Sequence, residues 1–116
     1  MADYLVDTDI FVDHLRGAAR LPAEAREASY SVVTRCELFA GKHTAEEVVT
    51  RLLAPLRELL VDRAVAEQAG RLRRARPLRT PDALIAGTAL VNRLTLLTRN
   101  LRDFHHVPEL DVRTPG

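Results

Sequence analysis

Apolar residues along this chain fall into short clusters with two kinds of spacing. Tyr4-Leu5-Val6 is a compact apolar run that stops at Asp7, which predicts a buried strand. From Asp9 to Arg16 the apolar positions Ile10, Phe11, Val12 and Leu15 take helical spacing, and Gly17 ends the stretch. Residues 18–28 are rich in alanine and charge, with Pro22 near the start, and predict a short helix. Tyr30-Ser31-Val32-Val33 reads as a second strand, after which Thr34 opens a helix running to Gly41. Residues 45–59 form a long helical stretch with Pro55 as a kink or break, followed by a short strand at Leu59-Leu60-Val61. Ala64 to Arg74 is amphipathic, and Thr80-Pro81-Asp82 begins a helix extending to about Asn92. Leu94 to Leu97 is a strand, and Val112 belongs to a last edge strand. Strands alternating with helices predict an α/β fold with a mainly parallel sheet.

The 116 residues fit one domain, spanning 1–116, and a hydrophobic share of 47% is enough for a core. A net charge of +1 is too small to announce a nucleic-acid binder. Nearly all positive charge is arginine, with Lys42 the only lysine. Cys36 stands alone, so neither an internal disulfide nor a cysteine metal cluster is available. The first residues carry no basic, apolar leader pattern, and the longest apolar stretch, Ala83 to Val91, is too short to cross a bilayer. A cytoplasmic protein without membrane attachment is expected.

Four carboxylates lie at the ends of these elements. Asp7 follows the first strand, Glu37 comes soon after the second, Asp82 opens a helix, and Asp103 follows the strand ending at Leu97. In open α/β sheets, ligands bind beyond the carboxyl ends of the strands. Parallel strands would let Asp7, Glu37 and Asp103 share one crevice, with Asp82 brought in by its helix. Two carboxylates about 4 Å apart repel by roughly 1 kcal/mol in water and about 4 kcal/mol at an effective dielectric near 20. Such a cluster shares protons or holds a metal, and oxygen-only ligands suit Mg²⁺ or Mn²⁺ better than zinc. Each acid also has a purely structural alternative. Thr34 to Glu37 matches a capping box, and Asp82 after Pro81 sits where helices favour negative charge. Asp103 follows Asn100 by three and could cap a short turn, while Asp7 could merely end a strand.

Four segments occur in a telling order: Val6-Asp7-Thr8-Asp9, Glu37-Leu38-Phe39-Ala40-Gly41, Pro81-Asp82-Ala83-Leu84-Ile85-Ala86, and Thr98-Arg99-Asn100-Leu101-Arg102-Asp103-Phe104. Together with Val61 to Glu67 they resemble the PIN-domain ribonucleases, most closely the VapC-type toxins of bacterial toxin–antitoxin pairs. The resemblance spans nearly the whole chain. It implies a three-layer α/β/α fold and a Mg²⁺- or Mn²⁺-dependent endoribonuclease with Asp7, Glu37, Asp82 and Asp103 at the metal. Asp7 and Asp103 are then the most direct ligand candidates, with Glu37 and Asp82 binding metal directly or through water, or orienting the nucleophile. A homodimer and a small inhibitory antitoxin are also implied. Two departures stand out. The segment from Gly17 to Ser29 is short, and position 9 is Asp where the family often has Asn or Ser. Asp9 could add a supporting acid behind the site or simply begin the helix, and the second reading is preferred.

Around this set, Thr8, Thr98 and Asn100 could orient a carboxylate or serve as ordinary turn residues. Arg16 and Arg99 are candidate RNA phosphate contacts. The run Arg71, Arg73, Arg74, Arg76, Arg79 reads first as a solvated helix face. His105 and His106 read as loop surface, Cys36 as a buried filler, and Gly87 as a site of close helix contact, such as a dimer interface. Two rival functions remain at this level. Asp7-Thr8-Asp9 superficially resembles the start of haloacid-dehalogenase-type phosphatases, but Lys42 comes too early to serve as their lysine. A catalytically silent PIN-like binding module is the other, and the intact four acids argue against it.

Overall fold

A computed structural model describes residues 3–116. The chain runs β1 (Tyr4–Val6), α1 (Thr8–Leu15), a 3-10 turn (Ala23–Ala25), β2 (Ser29–Ser31), α2 (Val32–Phe39), α3 (Glu46–Leu53) and β3 (Arg57–Leu59). It continues with α4 (Arg63–Ala75), α5 (Thr80–Val91), β4 (Thr95–Leu97), α6 (Leu101–Phe104) and β5 (Val112–Arg113). The strands form one sheet in the order β3-β2-β1-β4-β5, and every pairing is parallel.

Strand side chains alternate between faces, which divides the core in two. Leu5, Leu59 and Leu96 turn to one face and pack with Leu72, Ile85 and Phe104 from α4, α5 and α6. Val6, Tyr30 and Leu97 turn to the other and pack with Ile10, Phe11, Leu38 and Val49 from α1, α2 and α3. Helices therefore cover both faces, giving three α/β/α layers. Leu5 and Leu96 are fully buried, each stabilising the fold by roughly 1.5–3 kcal/mol. Gly87 sits where α5 crosses α4: a Cβ there would lie 3.1 Å from the Val65 carbonyl oxygen and 3.2 Å from the Ala69 nitrogen. The close contact expected of Gly87 thus lies within the chain, in the buried core, rather than at a subunit interface.

Several boundaries differ from the sequence expectation, each for a local reason. β2 ends at Ser31 instead of running through Val33. Ser31 Oγ accepts from the Val33 N–H and caps α2, so Val32 and Val33 open a helix despite their β-branched side chains. The cap at Ser31 also removes the capping box expected at Thr34, which lies buried inside α2. Residues 18–28 form only the single turn at Ala23–Ala25. The helix expected over 45–59 stops at Leu53, two residues before Pro55. β3 then forms at Arg57–Leu59, two residues earlier than predicted, because its register pairs Ser29 with Arg57 and Ser31 with Leu59. Cys36 is exposed, contrary to its expected role as a buried filler.

Candidate functional site

The strand order places a topological switch between β1 and β4: the chain builds outward from β1 through β2 and β3, then returns to lay β4 on its other side. Such switch points leave a crevice beyond the strand carboxyl ends. Asp7 stands there at the end of β1 and Thr98 at the end of β4. Both are buried, with Asp7 only 6% exposed.

Asp7 has two structural tasks at once. Its Oδ1 accepts from the Thr8 N–H at 2.8 Å and caps α1, while its Oδ2 accepts from Thr98 Oγ at 2.8 Å. Burial raises its pKa from 3.8 to about 7, and the neighbouring Asp9 adds to the rise. The Thr98 and Thr8 hydrogen bonds pull the other way, and Asp82 contributes a further upward push. Asp9 is likewise raised, first by burial, and the hydrogen bonds from the Arg99 N–H and the Thr98 hydroxyl oppose the rise. Asp82, in the first turn of α5, is raised by burial and by Asp103, against the pull of Arg79. Asp7 thus feels the charge of Asp82, and Asp82 that of Asp103.

Glu37 joins from α2. Thr8 Oγ donates to Glu37 Oε1 at 2.7 Å, and Thr34 Oγ lies 2.9 Å from Thr8 Oγ, leaving Thr34 as the donor to Thr8. This relay ties α2 to the start of α1. Its carboxylate is exposed, in contrast to that of Asp7.

Among the described residues, no three Asp, Glu, His or Cys side chains close around a single point as metal ligands. Each acid is held by a neighbour instead: Asp7 by Thr98, Glu37 by Thr8, Asp82 by Arg79 at 3.4 Å, and Asp103 by the Asn100 side-chain amide. The chemistry of the set nevertheless suits a hard divalent cation. The donors are all carboxylate oxygens, and Asp7 is buried against like charge with only neutral donors bonded to it.

The remaining candidates divide. Arg99 is engaged inside the protein, its Nη1 3.0 Å from Asp13 Oδ2. Arg16 lines a groove of about 620 Å³ beside Glu37, together with Lys42, His43, Leu15 and Val48. The basic run is largely used within the fold. Arg71 pairs with Glu67, Arg73 bonds the Leu78 carbonyl, Arg76 reaches the His106 carbonyl and Glu109, and Arg79 meets Asp82. His105 is exposed and bonds the Arg102 carbonyl through its ring, as loop-surface placement predicts. Asp9 fits both of its readings: it lies in the first turn of α1, and its Oδ2 also accepts from Thr98 Oγ and from the Arg99 N–H. The Asp-x-Asp spacing was the available signal, since residues 7 and 9 share the entry to α1.

Residues 4–110 match the PIN domain. The chain belongs to the PIN-domain family. Among its relatives is Ribonuclease VapC19 of Mycobacterium tuberculosis, 39% identical over 91% of this chain and 95% of that protein. Ribonuclease VapC10 of the same organism is 40% identical over 86% of this chain and 84% of its own length. The fold matches a toxin–antitoxin complex from Klebsiella pneumoniae with a TM-score of 0.82, at 32% identity and 98% coverage of both chains. DNA-bound VapBC from Salmonella typhimurium matches with a TM-score of 0.76, at 28% identity and 98% coverage of both chains. The phosphatase reading of Asp7 and the silent binding module are not favoured by these relatives.

Proposed function

We propose that this protein is a Mg²⁺- or Mn²⁺-dependent endoribonuclease, the toxin of a toxin–antitoxin pair, acting in the cytoplasm as a homodimer. The observation that carries the reading is the buried Asp7 carboxylate at the β1–β4 switch point, set against Asp9 and Asp82 and held by Thr98. The VapC ribonucleases and toxin–antitoxin complexes that this chain resembles support the same activity, with a cognate antitoxin as partner.

Asp7 and Asp103 would hold the ion directly, with Asp82 and Glu37 binding it directly or through water. The ion would supply Lewis-acid polarisation of the phosphodiester and neutralise charge on the leaving oxygen. The chain's own residues do the rest. Thr98 fixes the Asp7 carboxylate by donating to Oδ2. Thr8 fixes the exposed Glu37 carboxylate, which would orient the attacking water or take its proton. Thr98 Oγ also accepts from the Asn100 N–H, and the Asn100 side chain orients Asp103. Arg16, on the groove rim beside Glu37, serves as a phosphate contact.

The test is cleavage of cellular RNA by the purified protein in Mg²⁺, in Mn²⁺ and in excess chelator. Cleavage confined to the metal-supplied samples, and lost in Asp7→Asn with the fold intact, is the expected outcome. Full activity in chelator refutes the mechanism. Relief of growth arrest by a co-expressed antitoxin from an adjacent gene tests the toxin role.

A further inference from the structure

One helix holds Arg99 at both ends of the residue. The Arg99 N–H donates to Asp9 Oδ2 at 3.0 Å, and its guanidinium Nη1 meets Asp13 Oδ2 at 3.0 Å. Asp9 and Asp13 are four apart on α1, so they lie one turn above the other on the same helix face. Arg99 directly precedes Asn100, the N-cap of α6. The next N–H along, that of Asn100, is pinned by Thr98 Oγ at 3.0 Å, and the Asn100 side chain bonds Asp103. Contacts thus run without a break from α1 through Arg99 and Asn100 to the Asp103 carboxylate.

α6 is four residues long, far too short to fix its direction by its own hydrogen bonds. Its orientation has to come from where it is anchored. We propose that Asp9 and Asp13 are positioning residues: α1 clamps Arg99 to set the start of α6, and this holds Asp103 in place for the cation. The inference rests on the cation reading given above. It also changes the part assigned to Arg99. A guanidinium already paired with Asp13 acts on the site through the backbone it anchors, not by reaching for RNA phosphate.

The experiment is a calorimetric Mn²⁺ titration of the full chain, with amide hydrogen exchange at Arg99 and Asn100 and RNA cleavage measured over a Mn²⁺ series. Arg99→Ala and Asp13→Ala are each expected to weaken Mn²⁺ binding by about tenfold. Both should speed exchange at Asn100 and leave kcat at saturating Mn²⁺ near that of the wild type. The double variant should be no worse than either single one, because both remove the same contact. Asp9→Asn, which keeps an acceptor for the Arg99 N–H, should retain Mn²⁺ binding that Asp9→Ala loses.

The sign of Asp13→Ala separates the clamp from its rival. If Arg99 contacts RNA, freeing it lowers KM for RNA while Arg99→Ala raises KM, with Mn²⁺ binding unchanged in both; that pattern overturns the clamp. Asp9→Asn as damaging to Mn²⁺ binding as Asp7→Asn makes Asp9 a ligand and overturns its positioning role. Equal Mn²⁺ binding in the wild type and all clamp variants overturns the clamp alone. A wild type that binds no Mn²⁺ overturns the cation reading beneath it.

Discussion

Thr98 Oγ donates to Asp7 Oδ2 at 2.8 Å, joining the ends of two neighbouring strands across 91 residues of chain. The same oxygen accepts from the Asn100 N–H. Thr98→Val keeps the shape and deletes both of these bonds and the longer one to Asp9 Oδ2, leaving the buried Asp7 oxygen without this donor. Stability should fall by about 1–3 kcal/mol and metal affinity by roughly tenfold or more. Thr98→Ser should restore both. Chemical denaturation and Mn²⁺ titration of the pair check this.

Asp7 gives a pH signature. Its folded pKa of about 7 lies above the ordinary 3.8, so the native state binds this proton more tightly than the unfolded chain does. Its contribution is therefore most favourable in acid and is lost as pH rises from about 4 to about 7. In chelator the protein should melt at a lower temperature at pH 8 than at pH 5, reflecting a stability loss on the order of a few kcal/mol. Mg²⁺ should restore much of the loss at pH 8. Asp7→Asn should flatten the pH dependence and remove the Mg²⁺ response. Melting curves across pH with and without Mg²⁺ check all three.

Thr8 holds Glu37 from outside the core. Thr8→Val removes the exposed bond to Glu37 and the acceptor of the buried Thr34 hydroxyl, so stability should fall by about 1–3 kcal/mol with the fold retained. Cleavage should nevertheless slow by about tenfold through loss of Glu37 orientation. Thr8→Ser should be close to wild type in kcat.

Gly87→Ala tests the α4–α5 contact. The added methyl would press on the Val65 carbonyl and the Ala69 backbone, neither of which can swing aside. A loss of about 1–3 kcal/mol is expected, with cleavage per folded molecule retained. Denaturation midpoints alongside specific activity separate the two effects.

The end of α5 offers a gain. Arg93 has φ 55°, and the Arg93 and Leu94 N–H groups bond back to the Leu90 and Ala89 carbonyls, a Schellman closure with arginine where glycine is preferred. Arg93→Gly should raise stability by roughly 0.5–1 kcal/mol, visible as a higher unfolding midpoint without change in activity.

The sequence disclosed the layers well because they depend on spacing. Tyr4 to Val6 and Leu94 to Leu97 were read as strands, and their parallel pairing puts Asp7 beside Thr98 as the switch-point rule requires. Boundaries were less legible where two local signals compete. Val32 and Val33 favour a strand by side-chain shape, but the Ser31 hydroxyl stops the strand first. That single cap decides how Glu37 is read, because it removes the capping box and frees Glu37 for Thr8. The contact between Asp9 and Arg99 was not legible for another reason. The two lie 90 residues apart, and nothing local to either residue reveals a contact at that range.

The pairing of β1 with β4 also bears on how the protein is made. Asp7 emerges from the ribosome early, but the strand that seats beside it and the hydroxyl that steadies it come only with residues 95–98. Asp103 follows later still. A chain halted before that point carries at most three of the four acids, and no crevice to gather them. Partial products of translation should therefore be unable to cut the message being read. The protein becomes dangerous to RNA only once residues 95–103 have been made.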